Sequence, residues 1–263
     1  VLDLPPPTTP AAPVAEIASF ASTSAWLDPK LGVVVRRGSG AQALTLSPKG
    51  LRDLDLGPAA DGTPTLVYTR CAPSCDVYAY TLKPGAAEQR VAPAAKAGVS
   101  EHLPTLWKGT IAFERSGWVW TTRLGAPASA PAKKLLRGDG FEDLELGPSA
   151  IAFSGEVSSD EGNGATELDF ALLRKPEKWY IFDRSVIGEG ASAGFGGISA
   201  DARGFFAWQR AFRNGCATPK RTARRSSPQT PTRTIANAAA PLSARYADPE
   251  IPATPMSEAC EEE

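Results

Sequence analysis

The chain has 263 residues, with 28 Lys and Arg against 29 Asp and Glu, so its formal net charge is −1 and its overall field draws in neither nucleic acid nor an acidic membrane. A single histidine excludes metal centres built from several histidines, and no apolar run reaches the roughly 18 residues that a membrane helix needs. Gly and Pro stand at 24 each, so turns are frequent, as a fold of many short strands requires.

The sequence opens on Val1. This is expected to be a processed N-terminus from which a secretory leader has been removed. Residues 1–16 hold Pro5, Pro6, Pro7, Pro10 and Pro13 in an Ala/Thr-rich context and read as an extended arm with polyproline II character. From about Ile17 a β-pattern begins, extending to 247. A partial first repeat holds Ser24–Leu27, Gly32–Arg37 and Ala41–Leu46. The clearest repeat follows, as Arg52–Leu56, Leu66–Arg70, Val77–Leu82 and Glu88–Val91. The next has His102–Trp107, Thr110–Arg115, Trp118–Leu124 and Lys133–Leu136, and a further one has Glu142–Leu146, Ala150–Phe153, Leu168–Leu173 and Trp179–Asp183. A last repeat shows only Gly194–Ser199 and Phe205–Arg210, with Thr232–Asn237 and the region of Tyr246 as candidates for its missing strands.

These runs are rich in aromatic and β-branched residues and are divided by turn chemistry. Leu54-Asp55-Leu56-Gly57-Pro58 returns as Leu144-Glu145-Leu146-Gly147-Pro148. The repeats recur about every 40 to 45 residues, the length of a four-stranded propeller blade. The fold class expected is all-β, a single β-propeller of five four-stranded blades, or six if both termini contribute strands to one more.

Four cysteines form an even set, as in an exported protein. Cys71 and Cys75 flank three residues between two strand patterns, which predicts a hairpin loop clipped shut. Cys216 and Cys260 are then the second pair, whose long loop gains about 4 kcal/mol in the chain-entropy picture. Residues 211–247 hold Arg213, Lys220, Arg221, Arg224, Arg225, Arg233 and Arg245 and no acid. Within them, 213–233 reads as a basic loop inserted in the propeller. The tail, 248–263, is acidic, and its neutralisation of that loop is favoured over a nucleic-acid patch, since no aromatic stands between Phe212 and Tyr246 to stack bases.

Several segments resemble a known repeat. Asp201-Ala202-Arg203-Gly204-Phe205-Phe206-Ala207-Trp208 is similar to the core of the TolB-like (WD40-like, PD40) propeller repeat, and Ser47-Pro48-Lys49-Gly50 resembles its Ser-Pro-Asp-Gly turn. Gly109-Thr110-Ile111-Ala112-Phe113, Ile151-Ala152-Phe153 and Val77–Leu82 resemble its second and third strands. The resemblance covers roughly residues 20–245, with every repeat degenerate. Composition and the cysteine clip look like an exported protein of a high-GC bacterium such as an actinobacterium. The family implies a propeller and often a periplasmic or extracellular place, with no single activity.

Motifs that carry chemistry are few. Gly190-Ala191-Ser192-Ala193-Gly194 fits the G-x-S-x-G string, but glycine-rich flanks replace the strand and helix of a nucleophile elbow, and it reads as a loop between blades. Ser158–Gly164 is an acidic, oxygen-rich loop without the spacing of a calcium site, and reads as a solvated turn. Asp53, Asp55, Glu142, Asp143 and Glu145 recur on two inner-strand patterns. They either line the channel and give it negative charge, or bond backbone groups between blades or face solvent, and the second reading is favoured. Asp55, Glu101, His102 and Glu145 are the candidates for binding at the channel mouth. No catalytic residue, cofactor or metal site is expected.

The function this points to is an exported, secreted or cell-surface binding or scaffold module. Its partner is another protein or further copies of itself assembled through the N-terminal arm, and cell-surface polysaccharide is a further ligand class. The alternative is a propeller that binds or cleaves glycans in its channel with paired carboxylates.

Overall fold

A computed structural model of the protein describes residues 16–213, except 29, 38–39, 45, 139, 159–163, 187–191 and 201–205. The described residues form four antiparallel meander sheets in succession. Blade 1 is β1 (Ile17–Phe20), β2 (Thr23–Asp28), β3 (Gly32–Arg37) and β4 (Gly40–Ala43). Blade 2 is β5 (Leu51–Pro58), β6 (Pro64–Cys71), β7 (Cys75–Thr81) and β8 (Gln89–Arg90). Blade 3 is β9 (His102–Trp107), β10 (Thr110–Glu114), β11 (Trp118–Arg123) and β12 (Lys133–Arg137), and blade 4 is β13 (Phe141–Leu146), β14 (Ala150–Ser158), β15 (Gly164–Leu172) and β16 (Lys175–Val186). Finally, β17 (Ser192–Ala200) and β18 (Phe206–Arg213) pair as a two-stranded sheet. The first strands β1, β5, β9, β13 and β17 pack each on the next, and β17 reaches β1. They therefore ring a common axis, with the fourth strands outside, which is the arrangement of a β-propeller.

The expected count of five or six four-stranded blades is corrected to four among the described residues. The repeat near 194–210 is a lone hairpin, with no third or fourth strand among the described residues. The physical reason is that the apolar signature used to count repeats marks the first hairpin of a blade, and β17–β18 carries that hairpin by itself. Thr232–Asn237 and Tyr246, Cys216 and Cys260, the arm at 1–15, the basic loop beyond Arg213 and the acidic tail lie outside the described residues.

The core sits between blades. Ala25, Val33 and Val35 of blade 1 meet Leu56, Leu66 and Tyr68 of blade 2, while Val67, Val77 and Ala79 meet Leu106, Ile111 and Phe113 of blade 3. Neighbouring residues of β6 thus bury into opposite junctions. With both faces of a sheet covered, its central strand reads as an unbroken apolar run, not as an alternation. The same holds for β14, where Ile151 and Phe153 face blade 3 and Ala150 and Ala152 face β17 and β18.

The repeated Leu-Gly-Pro has a packing cause. A Cβ placed on Gly57 would stand 1.8 Å from the Leu106 carbonyl oxygen, and one on Gly147 would stand 2.7 Å from the Phe206 ring. Each glycine marks where the next blade closes on the end of an inner strand.

Candidate functional site

The inner strands carry a repeating set of hydrogen bonds from one blade to the next. The Leu54 N–H donates to Glu16 Oε2 (2.7 Å), the Leu103 N–H to Asp53 Oδ2 (3.2 Å) and the Leu106 N–H to Asp55 Oδ2 (2.9 Å). Next come the Leu146 N–H to Thr105 Oγ1 (3.0 Å), the Ile198 N–H to Asp143 Oδ2 (3.1 Å) and the Ala200 N–H to Glu145 Oε1 (2.8 Å). The inward N–H groups of β5, β9, β13 and β17 have no neighbouring strand on that side, and the preceding blade supplies an acceptor. Asp55 and Glu145 occupy equivalent places in this cycle, and Thr105 is their counterpart in blade 3. The Thr105 hydroxyl also donates to Glu145 Oε2 (3.3 Å).

Both acids are raised above the usual carboxylate range. For Asp55 burial is the main cause, opposed by the Leu106 and Leu56 N–H groups and by Thr105. For Glu145 burial again leads, with the Asp55 charge next and the Ala200 N–H opposing. Bulges let β5 and β13 place two acceptors each, Asp53 with Asp55 and Asp143 with Glu145. The pairing of β5 with β6 shifts between Arg52 and Asp55, and Asp53 takes a φ of 54° there. Asp53 Oδ2 accepts from the Thr69 hydroxyl at 3.0 Å as well.

Glu101 and His102 stand elsewhere, on the face where the inner strands begin. Leu51 pairs with Arg70 and His102 with Glu114, so the Cys71–Cys75 turn, the Arg115–Gly117 turn and the 91–101 connection gather at this end. The Cys71–Cys75 disulfide clips the β6–β7 hairpin as expected. The clipped turn docks both neighbouring connections: the Cys71 N–H donates to Gly50 O (2.9 Å), the Glu101 N–H to Cys75 O (2.8 Å) and the Cys75 N–H to Ser100 Oγ (3.1 Å).

The Glu101 side chain is enclosed beside Arg115. Arg115 Nη1 donates to Glu101 Oε1 at 3.5 Å and to Ala94 O at 3.0 Å, while Glu101 Oε2 has no partner. Burial, then the Asp76 charge, push the Glu101 carboxyl up to about 7, and Arg115 opposes them. Asp76 itself pairs with Arg90 at 2.7 Å. His102 is 42% exposed, with Nδ1 3.7 Å from Asp53 Oδ2. Outward from Arg115, cations and indoles alternate. The Arg115 guanidinium lies 4.0 Å from the centre of the Trp120 ring, and Lys134 Nζ lies 4.1 Å from Trp118 and 5.4 Å from Trp120.

The four residues singled out in the sequence therefore separate into two places. Asp55 and Glu145 are joined through Thr105 in the blade junctions, and Glu101 and His102 stand on the loop face. Arg115, Trp118, Trp120 and Lys134 were not singled out. Their signal was the Trp-x-Trp spacing of β11, which puts both indoles on one side of the strand. Ser192 of the G-x-S-x-G string is the first residue of β17, paired with Arg213, while residues 187–191 lie outside the described set. Among the described residues no group of three or more His, Cys, Asp and Glu could hold a metal ion, and no helix is long and apolar enough to cross a membrane.

No protein-family model matches the chain, and no curated protein matches it. Among solved structures it is similar to human WBSCR16, with 10% identity and a TM-score of 0.42 over 75% of this chain and 59% of that one. It is also similar to the alpha-L-arabinofuranosidase PaAbf62A from Podospora anserina in complex with cellotriose (10% identity, TM-score 0.36, 65% of this chain and 68% of that one). A third is AFV00434, an ancestral GH74 enzyme (15% identity, TM-score 0.37, 80% and 31%). The chain spans 59% of the length of WBSCR16. Likenesses of this size carry no argument about function. What its own strand pairing establishes is a β-propeller with four four-stranded blades among the described residues.

Proposed function

We propose that this protein is an exported, non-enzymatic propeller that binds another protein across the loop face beside blades 2 and 3. The observation that carries the reading is the use of the axial carboxylates. Asp55 and Glu145 are engaged by backbone N–H groups of the next inner strand, which makes them fasteners and leaves the recognition role to the loops. The loop face is stiffened by a disulfide and by the enclosed Glu101–Arg115 pair, so little order has to be imposed when a partner docks. Its outward groups, Trp118, Lys134, Arg90 and His102, combine the indole and cationic chemistry that concentrates at binding hot spots. The disulfide supports an oxidising, extracytoplasmic setting.

The test is a peptide array and a polysaccharide panel, each probed with the native chain and with Trp118→Ala and Lys134→Glu variants of unchanged melting temperature. Peptide binding that both variants lose supports the reading. Release of reducing ends from a polysaccharide, abolished by Glu101→Gln, would replace it with the glycan-cleaving alternative.

A further inference from the structure

The two faces of β11 are covered unequally. On the side of blade 4, Val119 is fully buried. On the side of blade 2, Trp118, Trp120 and, just past the strand, Leu124 are only half-buried. The cause lies in blade 2, whose outer strand β8 has 2 residues, against 6 in β11 and 5 in β12. So short a strand cannot cover the outer half of the blade 3 sheet, and a groove stays open between the two blades. One end of it widens into a cavity of about 390 Å³, whose lining includes Gln89, Arg90, Val91, Pro93, Leu124 and Ala126.

The other end, at the loop face, is cationic. Trp118 pairs with Arg137 and Trp120 with Lys134 across β11 and β12, and paired residues share one side of a sheet, so both cations stand with the indoles. Lys134 rests on the two rings, and a cation held in this way has lost part of its freedom before a ligand arrives. Among the described residues Lys134 and Arg137 form no ion pair. The acids nearby are already engaged: Asp76 by Arg90, Glu101 by Arg115 and Glu114 by the Gly117 N–H.

We propose that this groove binds an extended acidic segment of a partner protein, its carboxylates on Lys134 and Arg137 and an apolar side chain in the cavity. The inference rests on the reading that the loop face binds a protein, and it names the chemistry of that protein. Charge complementarity selects the occupant. Two exposed cations on an aromatic support, with no carboxylate of the chain to neutralise them, match carboxylates brought by a partner. The cavity selects a peptide over an acidic polysaccharide, because Val91, Pro93 and Leu124 suit an apolar side chain and offer no partner to a hydroxyl group. Trp118 and Leu124 lie six positions apart, about 20 Å of extended chain. The acids and the apolar residue of the partner therefore stand about six residues apart.

The experiment is fluorescence anisotropy on the full chain with short labelled peptides, circular dichroism confirming that each variant folds. The probes are a peptide with a leucine about six residues from a run of aspartates, the same peptide with asparagines, and one with the leucine next to the aspartates. The first is expected to bind, and the other two to bind about tenfold more weakly or worse. Lys134→Glu combined with Arg137→Glu should lose the aspartate peptide and bind its lysine counterpart. Equal binding of the aspartate and asparagine peptides, both lost in Trp118→Ala, overturns the acidic chemistry and leaves the protein-binding reading standing. A native chain that binds no peptide at all overturns both. Heparin that binds more tightly than the peptide, and is lost in the double charge variant, would assign the groove to polysaccharide and overturn the proposal. So would peptide binding that appears only once Glu261, Glu262 and Glu263 are changed to Gln, since the chain's own acidic tail would then be the occupant.

Discussion

Two regions of this propeller withdraw carboxylates from water, and they treat them differently. At the axis, Asp55 and Glu145 accept backbone N–H groups and share Thr105. On the loop face, Glu101 has one oxygen on Arg115 at the long distance of 3.5 Å and the other without a partner. Asp169 in blade 4 resembles Glu101 here, with Oδ1 unpartnered and burial, then Glu167, pushing its carboxyl up to about 7. An acid that recurs in the repeat serves the repeat, whereas an acid that occurs once is left under-satisfied and able to respond to its surroundings.

This contrast can be broken at several points. The largest effect is expected from Gly57→Ala, whose added carbon meets the Leu106 carbonyl oxygen at 1.8 Å. Backbone is the obstacle, so the blade 2–blade 3 junction must part, with a loss of roughly 3 kcal/mol or more in chemical denaturation. Next is Glu145→Ala, which strands the Ala200 N–H, takes one acceptor from the shared Thr105 hydroxyl and is expected to cost about 2 kcal/mol. Glu145→Gln keeps an acceptor in place and should cost well under half of that. Equal losses for the two variants would show that charge, not acceptance of the N–H, is what matters at the axis. On the loop face, replacing Cys71 and Cys75 together by Ser is expected to cost at most about 2 kcal/mol, because the loop they close is short.

A further effect is a pH dependence. Glu101 titrates near 7 when folded, against the ordinary 4.5 for glutamate. The folded state therefore binds the proton more tightly, and its contribution is present in full below about 4.5 and is lost as pH rises through about 7. Glu101→Gln should flatten that part of the stability profile. A slope that survives the substitution unchanged would assign it elsewhere, with Asp169 the first alternative.

Much of the strand order was legible. β9 was expected at His102–Trp107 and lies there. Blades 2 and 3 stood out because strands covered on both faces read as continuous apolar runs. The same rule made the blade count too high, since the hairpin of β17 and β18 carries the signature without outer strands. The recurrence of Asp55 and Glu145 was visible, but the favoured reading of it did not separate bonding between blades from exposure to solvent. Which N–H each acid takes depends on the bulges of β5 and β13, and a bulge leaves little trace in composition. The Arg115–Glu101 pair joins a turn to a connection and has no local signal. Trp179-Tyr180-Ile181 looks in sequence like any buried strand, and only its place on the outside of blade 4 marks it as exposed.

The closing of the ring has a mechanical consequence. The junctions from blade 1 through to β17 are each fastened by a side chain on the backbone of the next inner strand, the first by Glu16 just ahead of β1 and the others by residues of the preceding inner strand. Since β17 also touches β1, the two ends of the described chain meet at one seam. Tension applied between residues 16 and 213 would therefore peel that seam open first and load the fastened junctions only afterwards, one at a time. A propeller built this way yields to force in steps, with the seam as its first event.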